Sequence, residues 1–323
     1  MDKSRVKSEY MQDFLNRVCG LDHDRGNPRT KQILRRLLGD LYQAIEDLDV
    51  TDDEYWTAIG TLTELGQERQ VALISPGLGL DHFFDLRMEA RERAAGLEIG
   101  TPRTIEGPLY VAGAPLEHGE ARLDDGKTPG EVFFMSGTVK DTHGNAIPGA
   151  LVEVWHADGL GNYSYFDPTQ SEYNLRRKIK TGPDGRYSFR SIMPAGYAVP
   201  EGGPTEKVLD QLGRHGRRPA HIHFFISADH HRWLTTQINI EGDPDIFDDF
   251  AFATRDGLIP HVVTHTDPAE IKERGLEAPF KTIDFDFVLQ PETEKVMDSV
   301  VKRARAEGYP EGGKEAPADA AAP

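Results

Sequence analysis

The spacing of apolar residues changes near Gly100, and this change limits the folds open to the chain. Before it, apolar side chains recur at steps of three and four residues, which is the period of amphipathic helices. After it, short runs rich in β-branched and aromatic residues alternate with turn-forming clusters. We therefore predict a mainly β protein, with an antiparallel β-sandwich domain preceded by an N-terminal α-helical domain.

Three helices are predicted in the first hundred residues. Asn27 followed by Pro28 fits an N-cap and a first-turn proline ahead of the first apolar stripe. Thr51 and Glu54 form a capping box that opens a second helix. A third helix extends from Leu80 to about Ala95. We expect the apolar faces of these helices to pack against each other or against a partner subunit.

The strand-like runs lie between residues 133 and 289 and comprise Phe133–Val139, Ala150–Trp155, Arg186–Ile192, Ala220–Ala228, Leu234–Ile240, His261–His265 and Thr282–Leu289. The segment Thr101–Gly130 is rich in Gly and Pro and is predicted to be an irregular connector. We place the helical domain and linker at residues 1–105 and the β-sandwich domain at 106–310. Residues 311–323 are rich in Gly, Pro and Ala, and we expect them to be a disordered tail.

Charge and cysteine content exclude several classes of function. The chain has 323 residues and a formal net charge of −17, which disfavours nucleic acid and anionic membrane surfaces as partners. Cys19 is the single cysteine, so neither an intramolecular disulfide nor a cysteine-based zinc site can form. The chain has no apolar stretch long enough to span a membrane and no secretory signal at its start. We expect a cytoplasmic protein.

A His-x-His pair is the sharpest local signal for chemistry. His221 and His223 lie in a strand-like run, so both imidazoles point to one face and could share a metal ion. Taken alone, the pair could equally be structural, and a third ligand could be a carboxylate, as in non-haem Fe(II) sites. Tyr163 and Tyr197 lie in predicted loops, where functional groups concentrate, although most such tyrosines are simply packed rings.

Six longer runs stand out beside these single residues: Gly100–Tyr110, Val152–Asp158, Gly161–Ser164, Pro194–Tyr197, Gly213–His223 and Leu234–Ile240. Together they resemble the intradiol ring-cleaving dioxygenases, and within that family the members that act on catechol itself. The resemblance extends from the N-terminal helices to about residue 290.

The resemblance implies a set of site residues. One non-haem Fe(III) per subunit would be bound by Tyr163, Tyr197, His221 and His223. Tyr197 would also act as a base toward the substrate, Arg218 would stabilise negative charge, and Gln237 would lie near the metal. The catechol pocket would be lined by Leu73, Pro76, Ile105, Pro108, Leu109, Val199, Arg218 and Phe250.

The resemblance also implies an activity and partners. The enzyme would use O2 to cleave catechol to cis,cis-muconate in aromatic compound catabolism, within the β-ketoadipate pathway. It would be a homodimer joined through its N-terminal helices, with a phospholipid between them. One alternative is a family member that acts on hydroxyquinol or chlorocatechol. Another is a non-catalytic transthyretin-like binding module, which the run Gly137–Val152 also resembles and which predicts no tightly held metal.

Overall fold

The structure is a computed structural model, and it describes residues 5–293. The described residues divide into two compact units at the bond between Glu64 and Leu65. The predicted tail at 311–323, and the part of the predicted 106–310 domain beyond residue 293, lie outside the described residues. No helix within residues 5–293 is both long and apolar enough to cross a membrane.

The first unit is helical. It contains α1 (Glu9–Val18) and α2 (Pro28–Asp47), and α3 (Asp52–Gln67) begins in it. Both predicted helix starts are confirmed. The Asn27 side chain accepts a hydrogen bond from the backbone N–H of Thr30 at 3.0 Å. Glu54 accepts from the backbone N–H of Thr51 at 2.9 Å, and Thr51 Oγ1 accepts from the backbone N–H of Glu54 at 3.3 Å. Such caps satisfy N–H groups that have no partner inside the helix.

The apolar stripe of α2 is only partly covered by the residues that the structure describes. Helix α1 was not predicted. It packs on α2 partly through polar contacts, since Arg35 of α2 donates to Asn16 and Gln12 of α1 at 2.7 and 2.6 Å. Four apolar side chains of α2 remain between 43% and 58% exposed: Ile33, Leu34, Leu37 and Leu41. An uncovered apolar stripe on a helix is typical of a surface that binds a partner.

Residues 65–293 of the second unit contain four further helices and thirteen strands. The helices are α4 (Val71–Gly77), α5 (Leu80–Ala94), α6 (Pro204–Gln211) and α7 (Pro268–Glu273). The strands are β1 (Leu116–His118), β2 (Glu120–Arg122), β3 (Val132–Asp141), β4 (Leu151–His156), β5 (Arg176–Lys180), β6 (Arg186–Ile192), β7 (Tyr197–Ala198), β8 (Arg217–Arg218), β9 (His221–Ser227), β10 (Leu234–Asn239), β11 (Val262–His265), β12 (Phe280–Asp284) and β13 (Phe287–Leu289). All seven predicted strand runs are present, and the run at 282–289 is divided between β12 and β13.

Two sheets form the predicted sandwich. One has the order β1-β5-β4-β9-β10, the other has β11-β12-β3-β6-β2 with β13 also paired to β3, and β7 and β8 form a separate small ribbon. The sheets are mixed and not purely antiparallel as predicted, because β1, β2, β12 and β13 each join a neighbour in parallel. The prediction of an irregular connector at 101–130 was wrong in part, since β1 and β2 lie within it.

The core of the second unit lies between the two sheets. Ile222 and Phe224 of β9 and Phe133 of β3 are 0% exposed and belong to one apolar cluster. Because side chains alternate along a strand, this burial turns His221 and His223 to the opposite face of β9. The site described below lies on that face.

Buried ion pairs hold α5 against the sandwich. Glu92, which is 1% exposed, accepts from Arg103 at 2.6 Å and from Arg232 at 2.5 Å. One turn earlier, the Glu89 carboxylate accepts hydrogen bonds from both terminal nitrogens of Arg255, at 2.6 and 2.9 Å. Breaking a buried pair of this kind leaves an uncompensated charge, so these contacts strongly oppose movement of α5.

Candidate active site

The two histidines of β9 are held with their Nε2 atoms toward each other. The His221 Nδ1–H donates to the Pro219 carbonyl at 2.6 Å, which leaves a lone pair on His221 Nε2. The Nε2 atoms of His221 and His223 are 3.0 Å apart. The Trp155 ring stacks on His223, with the ring centroids 4.9 Å apart and the planes inclined by 6°. Both imidazoles are therefore buried, fixed in orientation and aimed at a common point.

The two tyrosines reach the same place from different segments of the chain. Tyr197 lies in β7 and not in a loop as predicted, because β7 pairs with β8 and aligns Tyr197 with Arg218. The Tyr197 Oη is 3.4 Å from His221 Nε2. The Tyr163 ring meets the Tyr197 ring edge-on, with centroids 5.6 Å apart and an interplanar angle of 90°. The structure thus brings together all four predicted metal ligands.

Local hydrogen bonds shape the loop that carries Tyr163. The Asp158 carboxylate accepts from the backbone N–H groups of Leu160 and Asn162 at 2.8 and 2.9 Å. Between them, Gly161 has a φ of +87°, and a Cβ added there would lie 2.9 Å from the Tyr197 Cβ. A glycine is required here for both its conformation and its size. Because Gly161 has no side chain, the loop can approach Tyr197 closely.

The electrostatics of the site suit a bound cation. Burial raises the pKa of the Tyr163 hydroxyl well above its usual value, and the neighbouring Tyr197 adds to this effect. Burial and the Arg218 charge lower the pKa of His221 to about 3. Burial, with His221 alongside, also lowers the pKa of His223 well below its usual value. Both imidazoles are therefore neutral at physiological pH, as metal ligands must be.

An unsatisfied polar atom marks the same point. The Tyr163 Oη is buried and has no hydrogen-bond partner among residues 5–293. Buried polar atoms in folded proteins are nearly always paired, so this one calls for an explanation. The described residues include no group of three or more His, Cys, Asp and Glu that could hold a metal ion. A metal at this point would need the phenols as ligands, and their positions fit that requirement.

Arg218 is buried beside the histidines. Its guanidinium donates to His221 Nε2 at 3.0 Å and to Gln237 Oε1 at 2.7 Å. It also donates to both carboxylate oxygens of Asp249, each at 3.2 Å. Burial alone would lower the pKa of Arg218, but the charges of Asp249 and Tyr197 outweigh it and raise the pKa above its usual value. The positive charge is therefore permanent.

Gln237 lies behind the histidines and not in the cavity wall. It is aligned with His223 across the β9–β10 pair, and its side chain donates to Asn239 Oδ1 at 3.3 Å. Asp249 was not among the predicted site residues. Nothing in the local sequence distinguishes it from the other 53 acidic residues, since its role depends on an arginine 31 positions earlier.

A cavity of about 940 Å³ opens over the two tyrosines. All eight predicted pocket residues line it: Leu73, Pro76, Ile105, Pro108, Leu109, Val199, Arg218 and Phe250. Residues that sequence reasoning did not single out, such as Tyr110, Phe166 and Ala251, also line it. The walls are largely apolar, with a few converging polar groups, which is typical of a site for a small molecule.

A β-sandwich with paired histidines and tyrosines beside an apolar cavity fits an enzyme of the dioxygenase class, and sequence comparison shows this class. The family model described as "Dioxygenase" matches residues 105–291, and "Catechol dioxygenase N terminus" matches residues 27–96. The chain belongs to the intradiol dioxygenase family. This confirms the resemblance seen in the sequence.

Within the family, the chain groups with the catechol 1,2-dioxygenases. It is 52% identical to catechol 1,2-dioxygenase of Acinetobacter baylyi, over 94% of this chain and 99% of that protein. It is 61% identical to catechol 1,2-dioxygenase 2 of Acinetobacter lwoffii, over 80% of this chain and 94% of that protein. Identity to hydroxyquinol 1,2-dioxygenase of a Rhizobium species is 34%, over 82% of this chain and 90% of that protein.

Solved structures give the same grouping. The mercury-inhibited catechol 1,2-dioxygenase of an Acinetobacter species superposes with a TM-score of 0.89 at 52% identity, covering 94% of this chain and 99% of that one. The 3-chlorocatechol 1,2-dioxygenase of Rhodococcus opacus superposes with a TM-score of 0.68 at 28% identity, covering 82% of this chain and 99% of that one.

Proposed function

We propose that the protein cleaves catechol with O2 between its two hydroxylated carbons and releases cis,cis-muconate, within aromatic compound catabolism. The observation that carries the proposal is the convergence of two phenols and two imidazoles, with both phenols in the wall of an apolar cavity. The higher identity to catechol-cleaving relatives than to a hydroxyquinol-cleaving one favours catechol as the substrate.

The ligand set supports one non-haem Fe(III) per subunit, held by Tyr163, Tyr197, His221 and His223. Burial opposes ionisation of the Tyr163 hydroxyl, so a strongly charged cation is needed to keep it as phenolate. Two anionic phenolates favour a trivalent ion over a divalent one. When bound, ferric iron would supply a Lewis acid that favours the deprotonated catechol and makes its ring reactive toward O2.

The residues around the metal have separate roles. The Tyr197 Oη would accept a proton from a catechol hydroxyl, since it lies both in the cavity wall and beside His221. Arg218 would stabilise negative charge on the substrate, because its guanidinium is buried, always charged and part of the cavity wall. Gln237 would hold the guanidinium in place through its amide oxygen. The apolar wall would exclude water from the ring.

Assembly is a second part of the proposal. Residues 1–105 would serve as a dimerisation and linker domain for the 106–310 catalytic domain, in a homodimer with a phospholipid at the helical interface. The uncovered apolar stripe of α2 supports this, since a partner helix or acyl chains could cover it. A cytoplasmic location completes the proposal, because the lone Cys19 fits a reducing compartment.

The test uses purified protein reconstituted with ferric iron. We expect a red-brown colour from tyrosinate-to-iron charge transfer, a spectral shift when catechol is added without air, and muconate formation once O2 is admitted. Tyr163→Phe should lose most of the absorption and turnover. Tyr165→Phe changes a tyrosine two positions away in the same loop that is not a predicted ligand, and should lose neither.

Three results would overturn the assignment. A colourless protein that stays inactive after reconstitution would favour the non-catalytic binding module. Faster turnover of hydroxyquinol or of chlorocatechols than of catechol would favour the alternative substrates. Unchanged absorption in Tyr163→Phe would remove that phenol from the ligand set.

A further inference from the structure

The Asp249 carboxylate accepts four hydrogen bonds from the described residues, and they come from two different parts of the site. Its side chain is 1% exposed. Oδ1 accepts from Arg218 Nε at 3.2 Å and from the backbone N–H of Ala251 at 3.0 Å. Oδ2 accepts from Arg218 Nη2 at 3.2 Å and from the backbone N–H of Ala253 at 3.3 Å. One carboxylate therefore holds both the arginine and the segment that follows it.

The arginine needs such a holder. An arginine side chain has several rotatable bonds, and a buried guanidinium is stable only when it is paired. The two-point contact with Asp249 fixes the plane of the guanidinium. With Nε and Nη2 engaged, Nη1 lies 3.0 Å from His221 Nε2, so the guanidinium borders the point where the metal would bind. The direction of the positive charge toward the metal-binding histidines thus depends on a residue that does not line the cavity.

The held segment forms part of the substrate cavity. Phe250 and Ala251 both line it and are 4% and 0% exposed. The backbone N–H of Phe250 donates to the Arg217 carbonyl at 3.0 Å, so this segment lies directly against β8. A change at Asp249 would therefore alter both the guanidinium and the apolar wall against which the ring packs.

We propose that Asp249 is a positioning residue that sets the orientation of Arg218 and the position of the Phe250–Ala251 wall together. The inference rests on the proposed function. It predicts that rate and ring-substituent preference change together in a variant of this one carboxylate, although neither the metal ligands nor the cavity residues are altered.

The chain offers a matched control close by. Asp245 accepts from Arg217, the residue beside Arg218, with Nε–oxygen distances of 3.1 and 3.0 Å. This pair is at the surface, since the Arg217 side chain is 55% exposed. Asp245→Asn makes the same chemical change in a pair that faces solvent. It should leave turnover within twofold of the wild type.

The experiment compares iron-loaded wild type, Asp249→Asn and Asp245→Asn. The measurements are kcat and KM for catechol and 4-methylcatechol, the resting charge-transfer spectrum and the iron content. We expect Asp249→Asn to keep the iron and the spectrum, to lose at least tenfold in kcat for catechol, and to change the 4-methylcatechol to catechol ratio of kcat/KM at least threefold. Asp249→Glu keeps the negative charge and should recover part of the lost kcat.

The opposite results are equally specific. If Asp249→Asn retains kcat and substrate ratio within twofold of Asp245→Asn, the inference is wrong. It is also wrong if activity falls only in proportion to the iron-loaded fraction, because that would show a structural role alone. If Asp249→Asn does not fold, the test uses Asp249→Glu. The inference is then wrong if this variant has the kcat and the substrate ratio of the wild type. A wild type without catechol cleavage would instead overturn the proposed function.

Discussion

Replacing Gly161 with alanine tests whether the close approach of the two tyrosine-bearing segments matters for the site. Gly161 has a φ of +87°, where residues with a Cβ are strained. The new Cβ would lie 2.9 Å from the Tyr197 Cβ and 3.1 Å from the Gly196 carbonyl oxygen. Ordinary contacts begin near 3.4 Å, so Tyr197 or the Tyr163 loop must move by about 0.5 Å.

The expected cost has two parts. The left-handed conformation costs an alanine about 1–2 kcal/mol, and forcing an extra methyl into a packed site costs about 1–3 kcal/mol. Together they lower the free energy of unfolding by about 2–5 kcal/mol, which corresponds to a fall in Tm of about 4–20 °C for a body of this size. A ligand displaced by about half an ångström should also weaken iron binding and slow turnover roughly tenfold.

Gly202→Ala is the control for the backbone cost. Gly202 lies on the segment that follows Tyr197 and has a φ of +71°, but a Cβ added there meets nothing within 4 Å. It should cost about 1–2 kcal/mol and leave the tyrosinate absorption unchanged. Thermal unfolding and absorption spectroscopy of the two iron-loaded variants provide the comparison. Equal losses of Tm and identical spectra would refute the argument that Gly161 is needed for its close approach to Tyr197.

Three further predictions concern the ion pairs, pH and the cavity. Glu92→Gln should lower the free energy of unfolding, measured in urea, by about 3–5 kcal/mol. The control Asp40→Asn breaks an exposed pair and should cost at most about 0.5 kcal/mol. Similar losses in the two variants would refute the argument that the buried pairs of Glu92 stabilise the protein. Burial raises the pKa of Asp85 from 3.8 to about 7, so its contribution to stability falls as pH rises from about 4 to 7. Asp85→Asn should therefore raise Tm at pH 8 but not at pH 4, and a gain confined to pH 4 would contradict this. Val199→Ala removes two methyl groups from the cavity wall and should raise kcat/KM for 3-methylcatechol relative to catechol by roughly 3–10-fold. An unchanged ratio in steady-state assays would contradict a contact between Val199 and the substrate ring.

The features that followed from sequence are those set by local rules. The caps at Asn27 and Thr51 depend on residues within one helical turn, and the structure has both. The common direction of His221 and His223 follows from strand alternation once Ile222 is recognised as core. Tyr163 and Tyr197 were identified as ligands from the resemblance of the sequence to the dioxygenase family, and not from their own chemistry or position.

The features that were missed depend on distant partners. Strand β5 begins with three basic residues, which do not resemble a strand, yet Arg176 is 1% exposed because it donates to the Leu109 carbonyl and to Ser164. Tyr197 is a strand residue because it pairs with Arg218 of β8, 21 positions later. Asp249 could not be selected without knowing that it meets Arg218. Contacts of this kind are invisible to patterns read over a few residues.

The cavity wall has a consequence for how substrate range can change between relatives. Leu73 and Pro76 come from α4, before residue 105, whereas Val199 and Phe250 come from the sandwich region. Helix α5 follows α4, and its Glu92 pairs with Arg103, before residue 105, and with Arg232, after it. A chimera that exchanged the first 105 residues between two relatives would therefore transfer part of the cavity wall together with the helical surface. Under the proposed function, substrate preference would be inherited jointly from both parents, because recombination at that point separates residues proposed to contact the same ring.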